Sequence, residues 1–145
     1  MTMLALETAS RFIKEREGCR LEAYGDIAGV MTCGWGSTGP DIKPDTVWTQ
    51  EQADTRLLKD LSGVILTVRR AVKTPITDSQ CAALASFAYN VGEGAFLRST
   101  LLALLNDGQV IDAAKQFVRW DQAGGKEVKG LLRRRFLEAA LFLEG

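Results

Sequence analysis

Apolar residues recur at helical spacing from the first residues. Leu6, Ala9 and Ile13 fall three and four apart, which predicts a helix from Met1 to about Arg16 or Glu17. Glu17 is the next position on that apolar stripe, and Gly18 supplies the residue that ends helices. Arg20 to Tyr24 and Val30 to Trp35 read as two short strands joined by the turn Gly25-Asp26-Ile27-Ala28-Gly29. Glycine and proline turns in Ser37-Thr38-Gly39-Pro40 and Pro44-Asp45 extend this region loosely to Thr46. Thr49-x-x-Gln52 is a capping box. Behind it Ala53, Leu57, Leu61, Val64, Ile65, Val68 and Val72 keep helical period until Thr74-Pro75. A helix of that length rises about 30 Å, enough to join two lobes.

A second capping box, Thr77-x-x-Gln80, opens a helix through Leu84, Phe87 and Ala88 to Gly92. Ser99 or Thr100 caps a short helix ending at Asn106-Asp107-Gly108, another runs from Val110 to Trp120, and the last from Gly130 to about Leu143. Between those two, the stretch Asp121 to Lys129 with its paired glycines breaks the pattern as a loop. The expectation is an α+β fold in one domain, residues 1–145. It has a small hairpin lobe at about 18–47, a linking helix at about 49–73 and a helical lobe at about 74–145, with a cleft between the lobes.

The composition narrows the chemistry. With 145 residues, 46% of them hydrophobic, one real core is affordable. The absence of histidine excludes Ser-His-Asp, Cys-His and His-ligated metal chemistry. Cys19, Cys33 and Cys81 have no metal spacing, and their odd number fits a reducing compartment, with all three as small hydrophobes in or near the core. Met3-Leu4-Ala5-Leu6 is too short for a signal peptide or a membrane span. Formal net charge is zero, which speaks against a nucleic-acid binder despite Arg133-Arg134-Arg135. Residues 1–68 carry 7 basic and 10 acidic side chains, and residues 69–145 carry 11 and 8. That mildly cationic half suits an anionic polymer such as a cell wall. On a helix that also carries Leu132, Phe136 and Ala139, most of the three arginines are expected in solvent. One turned toward the cleft would pair with Glu17 or bind substrate.

A carboxyl on an interior stripe is unusual, because an ionised one is costly to bury. At a helix C-terminus the backbone carbonyls also oppose a second negative charge. Both conditions suit Glu17 to a proton donor. Asp26, in a turn near water and free N–H groups, suits a carboxylate. Thr32 on the returning strand brings a hydroxyl beside it. Each residue alone has an ordinary reading: a solvated helix end, a turn aspartate, a β-branched strand residue. Gly34-Trp35-Gly36 is only a fragment of a phosphate loop and no helix pattern follows it. Trp35 is open to two readings, a sugar-stacking ring or a packing residue. Two carboxyls in opposed environments are the pattern of glycoside cleavage.

The set Glu17-Gly18…Tyr24-x-Asp26…Gly29-x-x-Thr32-x-Gly34-x-Gly36 resembles the phage-type lysozymes, endolysins of glycoside hydrolase family 24 that act as peptidoglycan muramidases. The likeness continues in Ser86-Phe87-Ala88-Tyr89-Asn90-Val91-Gly92, Gly94-Ala95-Phe96 and Ser99-Thr100-Leu101-Leu102. It ends in Trp120, Ala123-Gly124-Gly125-Lys126 and Gly130-Leu131-Leu132-Arg133-Arg134-Arg135. It departs at Ser37, where members of the family often carry histidine. The resemblance implies cleavage of the β-1,4 bond between N-acetylmuramic acid and N-acetylglucosamine. Glu17 would be the acid, Asp26 the stabilising carboxylate or base, and Thr32 the holder of water. It also implies sugar contacts from Asn90 and Ser99, beside which Trp35 stands as a candidate on its own stacking reading, with no metal or cofactor.

A water-holding hydroxyl points to an inverting route, with carboxyls about 6.5–9.5 Å apart rather than the 5–5.5 Å or so of retention. Alternatives of other kinds are a lytic transglycosylase and a non-catalytic wall-binding module. The implied setting is a monomer made in the host cytoplasm without a signal peptide. It would act on the wall after release by a separate pore-forming protein, with no membrane insertion and no nucleic-acid partner.

Overall fold

The computed structural model describes residues 2–26, 28–123, 126–127 and 129–144, and side chains within 4–26, 28–121 and 130–144. The glycine pair Gly124-Gly125 of the expected loop lies outside the described residues. Helix α1 (Thr2–Arg16) leads into strands β1 (Arg20–Gly25) and β2 (Met31–Gly34), an antiparallel pair. Its register sets Tyr24 opposite Thr32 and Arg20 opposite Gly34, with an irregularity between. The outer edge of β1 is covered by the chain returning at residues 46–48: Ala23 N–H donates to the Thr46 carbonyl (2.9 Å) and Trp48 N–H to that of Leu21 (2.8 Å). Both capping boxes form as the sequence predicts. Thr49 caps α2 (Gln50–Ala71) and Thr77 caps α3 (Asp78–Val91), each side chain accepting from the glutamine N–H three residues on. At 22 residues, α2 is about 33 Å long.

The core gathers around α3, whose residues Cys81–Ala88 are all buried. A helix apolar on every side belongs inside a bundle, and α3 packs on α1, α2 and α7 (Lys129–Glu144). Ala5, Ala9 and Ile13 of α1 meet it, as do Leu57, Leu61 and Val68 of α2. Phe87 stands edge-on to Phe117 and Trp120, with centroids 5.4 Å apart in both cases, a favoured aromatic geometry. The α+β expectation holds: a mostly helical molecule with a small antiparallel sheet.

Three details differ from the sequence reading. A five-residue helix, α4 (Glu93–Leu97), follows the Gly92 cap ahead of α5 (Thr100–Asn106). Helix α6 (Val110–Gln116) gives way to a 3-10 turn at Phe117–Arg119 instead of reaching Trp120. The expected loop after it holds two-residue strands, β3 (Gln122–Ala123) and β4 (Lys126–Glu127), paired antiparallel. Pieces this short carry no periodicity of their own, so only packing decides them. Of the cysteines, Cys33 and Cys81 are buried as expected, whereas Cys19 is partly exposed. No helix among the described residues is long and apolar enough to cross a membrane.

Candidate active site

The last turn of α1 delivers Glu17 to the cleft: its N–H donates to the Ile13 carbonyl at 2.7 Å, the final backbone bond of the helix. The side chain is 22% exposed and lies against Gly36. Gly36 has φ +95°, and a Cβ there would come within 3.1 Å of the Glu17 carboxyl carbon, so a larger residue would strain the backbone and press on that carboxyl. Oε2 accepts from Arg134 Nη1 at 2.7 Å. The sequence reading allows one of the three arginines to turn toward the cleft and pair with Glu17, and Arg134 is that arginine.

The arginine run on α7 is mostly buried, which corrects the sequence reading. Arg134 is 5% exposed and Arg135 0%, and only Arg133 faces solvent. Arg134 and Arg135 are held there by Glu138, itself fully buried. Glu138 Oε2 accepts from Arg134 Nε (3.1 Å), Arg135 Nη2 (3.2 Å) and the Ser86 hydroxyl (2.5 Å). Burial pushes the Glu138 carboxyl pKa up, opposed by Arg135 and Arg134. Arg135 Nη2 also donates to Asn90 Oδ1 at 2.9 Å. The sequence reading missed Glu138, yet its spacing of four from Arg134 and three from Arg135 was a visible signal of pairing on one helix face.

Across the cleft, Asp26 Oδ1 accepts from the N–H groups of Ala28 (2.9 Å) and Val30 (2.8 Å). This is the local bonding that turns select aspartate for. Thr32 is 4% exposed, and its hydroxyl donates to the Val30 carbonyl at 2.9 Å. That donation leaves the oxygen's lone pairs free to accept. A cavity of about 400 Å³ is lined by Glu17, Asp26, Thr32, Tyr24, Tyr89 and Asn90, among others. The three residues singled out in the sequence are therefore brought together, one from a helix end and two from the hairpin.

Two proposed sugar contacts are used otherwise. Ser99 is 6% exposed; it caps α5 by accepting from Leu102 N–H (3.1 Å) and donates to the Phe96 carbonyl (2.7 Å). Trp35 packs against the core, and its Nε1–H donates to Asp54 at 2.7 Å. Neither lines the 400 Å³ cavity. Tyr89 does, and its hydroxyl donates to the Trp35 carbonyl at 3.1 Å; burial pushes that phenol's pKa up. Ser37, where the resemblance breaks, is 1% exposed and donates to Asp60 Oδ2 at 2.7 Å. Its backbone pairs in both directions with Cys33, tying the Gly36 turn to β2 and α2.

Residues 14–138 match the model of the phage lysozyme family. The endolysin of Bacillus phage PZA is 44% identical over 135 residues, which are 92% of this chain and 52% of that protein. The SAR-endolysin of bacteriophage PS119 is 42% identical over 129 residues, 89% of this chain and 77% of that one. The chain thus spans about half the length of the Bacillus phage relative. Among solved structures, the muramidase domain of SpmX from Asticaccaulis excentricus matches with a TM-score of 0.83 at 34% identity, covering 93% of this chain and 94% of that chain.

Proposed function

This chain belongs to the phage lysozyme family, and from that membership we propose that it is a glycoside hydrolase of bacterial peptidoglycan serving phage-mediated lysis. The bond cleaved is the β-1,4 link between N-acetylmuramic acid and N-acetylglucosamine. The observation that carries the reading is the opposition, around one 400 Å³ cavity, of a helix-end carboxyl to a hairpin carboxylate and hydroxyl. The hairpin lobe and the helical lobe belong to one domain around that groove.

Glu17 protonates the departing glycosidic oxygen. Arg134 occupies Oε2, so Oε1 carries and delivers the proton. Asp26, fixed through Oδ1 by two backbone N–H groups, has Oδ2 available to take a proton from water. Thr32 Oγ1, its own proton committed to Val30, accepts from that same water and turns a lone pair toward the sugar carbon. Water attacking opposite the leaving group gives inversion. Asn90, held by Arg135 on the cavity wall, contacts the sugar. The enzyme works without metal or cofactor, as a monomer, and reaches the wall through a pore made by another protein.

Turbidity clearing of purified walls by wild type and by Glu17→Gln tests the assignment. The variant should lose at least 100-fold in rate, the usual scale for a general acid, with an unchanged circular dichroism spectrum. Near-wild-type clearing by the variant would refute it. The anomer first released, read by NMR, separates inversion from retention, and anhydro-muramic ends would mark a lytic transglycosylase instead.

A further inference from the structure

Trp35 stays out of the central cavity, and its side chain instead joins three elements. The indole Nε1–H donates to Asp54 Oδ1 on α2 at 2.7 Å, and Gln50 Nε2 donates to the same oxygen at 3.0 Å. From α1, the Lys14 ammonium sits 5.4 Å from the indole centroid and 3.6 Å from that oxygen. Among the described residues this is the one ion pair joining α1 to α2. The indole bond first, and the Gln50 bond next, hold the Asp54 carboxyl pKa below the usual aspartate value. The Trp35 backbone is tied as well: its carbonyl accepts from the Tyr89 hydroxyl of α3 at 3.1 Å. Both sides of this junction border the proton donor. Lys14 is three residues ahead of Glu17, about one helical turn. Gly36, directly after Trp35, is the residue against which the Glu17 carboxyl rests. The next residue, Ser37, pairs with Cys33 of β2 through both backbone groups, so the turn is one piece with the strand that carries Thr32.

We propose that Trp35 and Asp54 are positioning residues for Glu17: their bond, drawn onto α1 by Lys14, fixes the helix end against the Gly36 turn and sets the gap between proton donor and hairpin carboxylate. The proposal rests on the hydrolase reading above. Arg134 holds Glu17 from the α7 side. The hairpin side needs a tie of its own, because Asp26 and Thr32 bond locally, to Ala28 and Val30. An indole N–H on a carboxylate is a directional, charge-assisted bond, and the rigid ring carries that direction into the backbone beside Gly36. The side chains of Lys14 and Asp54 are 38% and 40% exposed, so removing the carboxyl leaves no buried hollow. The cost falls on geometry at the cleft, where small displacements of a reacting group are expensive in rate.

The test measures kcat and KM for release of reducing ends from soluble glycan strands. It compares wild type with Trp35→Phe, Asp54→Ala, Asp54→Asn and the double variant Trp35→Phe with Asp54→Ala. Trp35→Phe and Asp54→Ala should each lower kcat about tenfold, the scale of one hydrogen bond to a charged group, with KM close to wild type. Removing both should cost no more than removing one, because either change breaks the same bond. Asp54→Asn keeps an oxygen facing the indole and should recover most of kcat. A kcat near wild type in Asp54→Ala, losses that multiply in the double variant, or Asp54→Asn as slow as Asp54→Ala would overturn the proposal. A KM that rises as far as kcat falls would do the same, since it would mark a sugar contact at Trp35. Wild type releasing no reducing ends would refute the hydrolase reading. Positioning is then read without turnover, by amide hydrogen exchange. The N–H groups of Glu17 and Ser37, bonded to the Ile13 and Cys33 carbonyls, should exchange about tenfold faster in Asp54→Ala, with Cys81 N–H of α3 unchanged. Equal exchange at Glu17 and Ser37, or the same acceleration at Cys81, would overturn the proposal.

Discussion

Replacing Glu138 by glutamine probes the support of the site most directly. The side chain is fully buried, and its carboxylate is the anion shared by Arg134 Nε at 3.1 Å and Arg135 Nη2 at 3.2 Å, with Arg135 Nε 2.8 Å from Oε1. Arg135 is itself 0% exposed, and among the described residues its other hydrogen bond is to Asn90. Glutamine keeps the shape but removes the charge, so a buried guanidinium is left without a counter-ion. Removing one partner of a buried pair costs about 3–5 kcal/mol. For a chain of 145 residues, an unfolding entropy of about 2.1 cal/mol/K per residue turns this into a fall in Tm of about 10–15 °C. Calorimetry on Glu138→Gln reads the cost. Arg135→Met with Glu138→Gln should be more stable than Glu138→Gln alone, because it removes the stranded charge. A Tm within about 2 °C of wild type, a change of well under 1 kcal/mol, would refute the view that Glu138 is the counter-ion of this cluster. A double variant no better than the single one would do the same.

Gly36→Ala should cost about 1–2 kcal/mol from the left-handed backbone alone. Its Cβ, 3.1 Å from the Glu17 carboxyl carbon, should lower kcat as well, so thermal melts and wall turbidity should both register the change. Tyr89→Phe should cost about 1 kcal/mol at neutral pH through the lost bond to the Trp35 carbonyl. Burial raises the folded phenol above its unfolded value of about 10. Its stabilising contribution is thus complete below that pH and is lost as pH climbs toward the folded value. Denaturant unfolding should show wild type losing stability above about pH 10 faster than Tyr89→Phe; parallel curves would contradict a buried phenol.

Local pattern determined a great deal here. Caps at Thr49 and Thr77, the Gly92 stop, the hairpin, and the apolar stripe that ends at Glu17 are all written in neighbouring residues, because hydrogen bonds three residues apart and side-chain periodicity are local physics. The spacing of Glu17, Asp26 and Thr32 was likewise legible, since a helix end and an adjoining hairpin leave those side chains little freedom to separate. What an arginine touches is not local. Arg134 lies 117 residues from Glu17, and three consecutive arginines on one helix point in three directions. Only the packing of α7 on α3 decided that two of them are buried on Glu138 and Ser86. Ser99 shows the reverse case: the cap position stated in the sequence took the hydroxyl, and none was left for a sugar. Whether a polar side chain meets substrate, a counter-ion or its own backbone is a matter of which surfaces come within 3 Å or so, and that distance is set by the assembled fold.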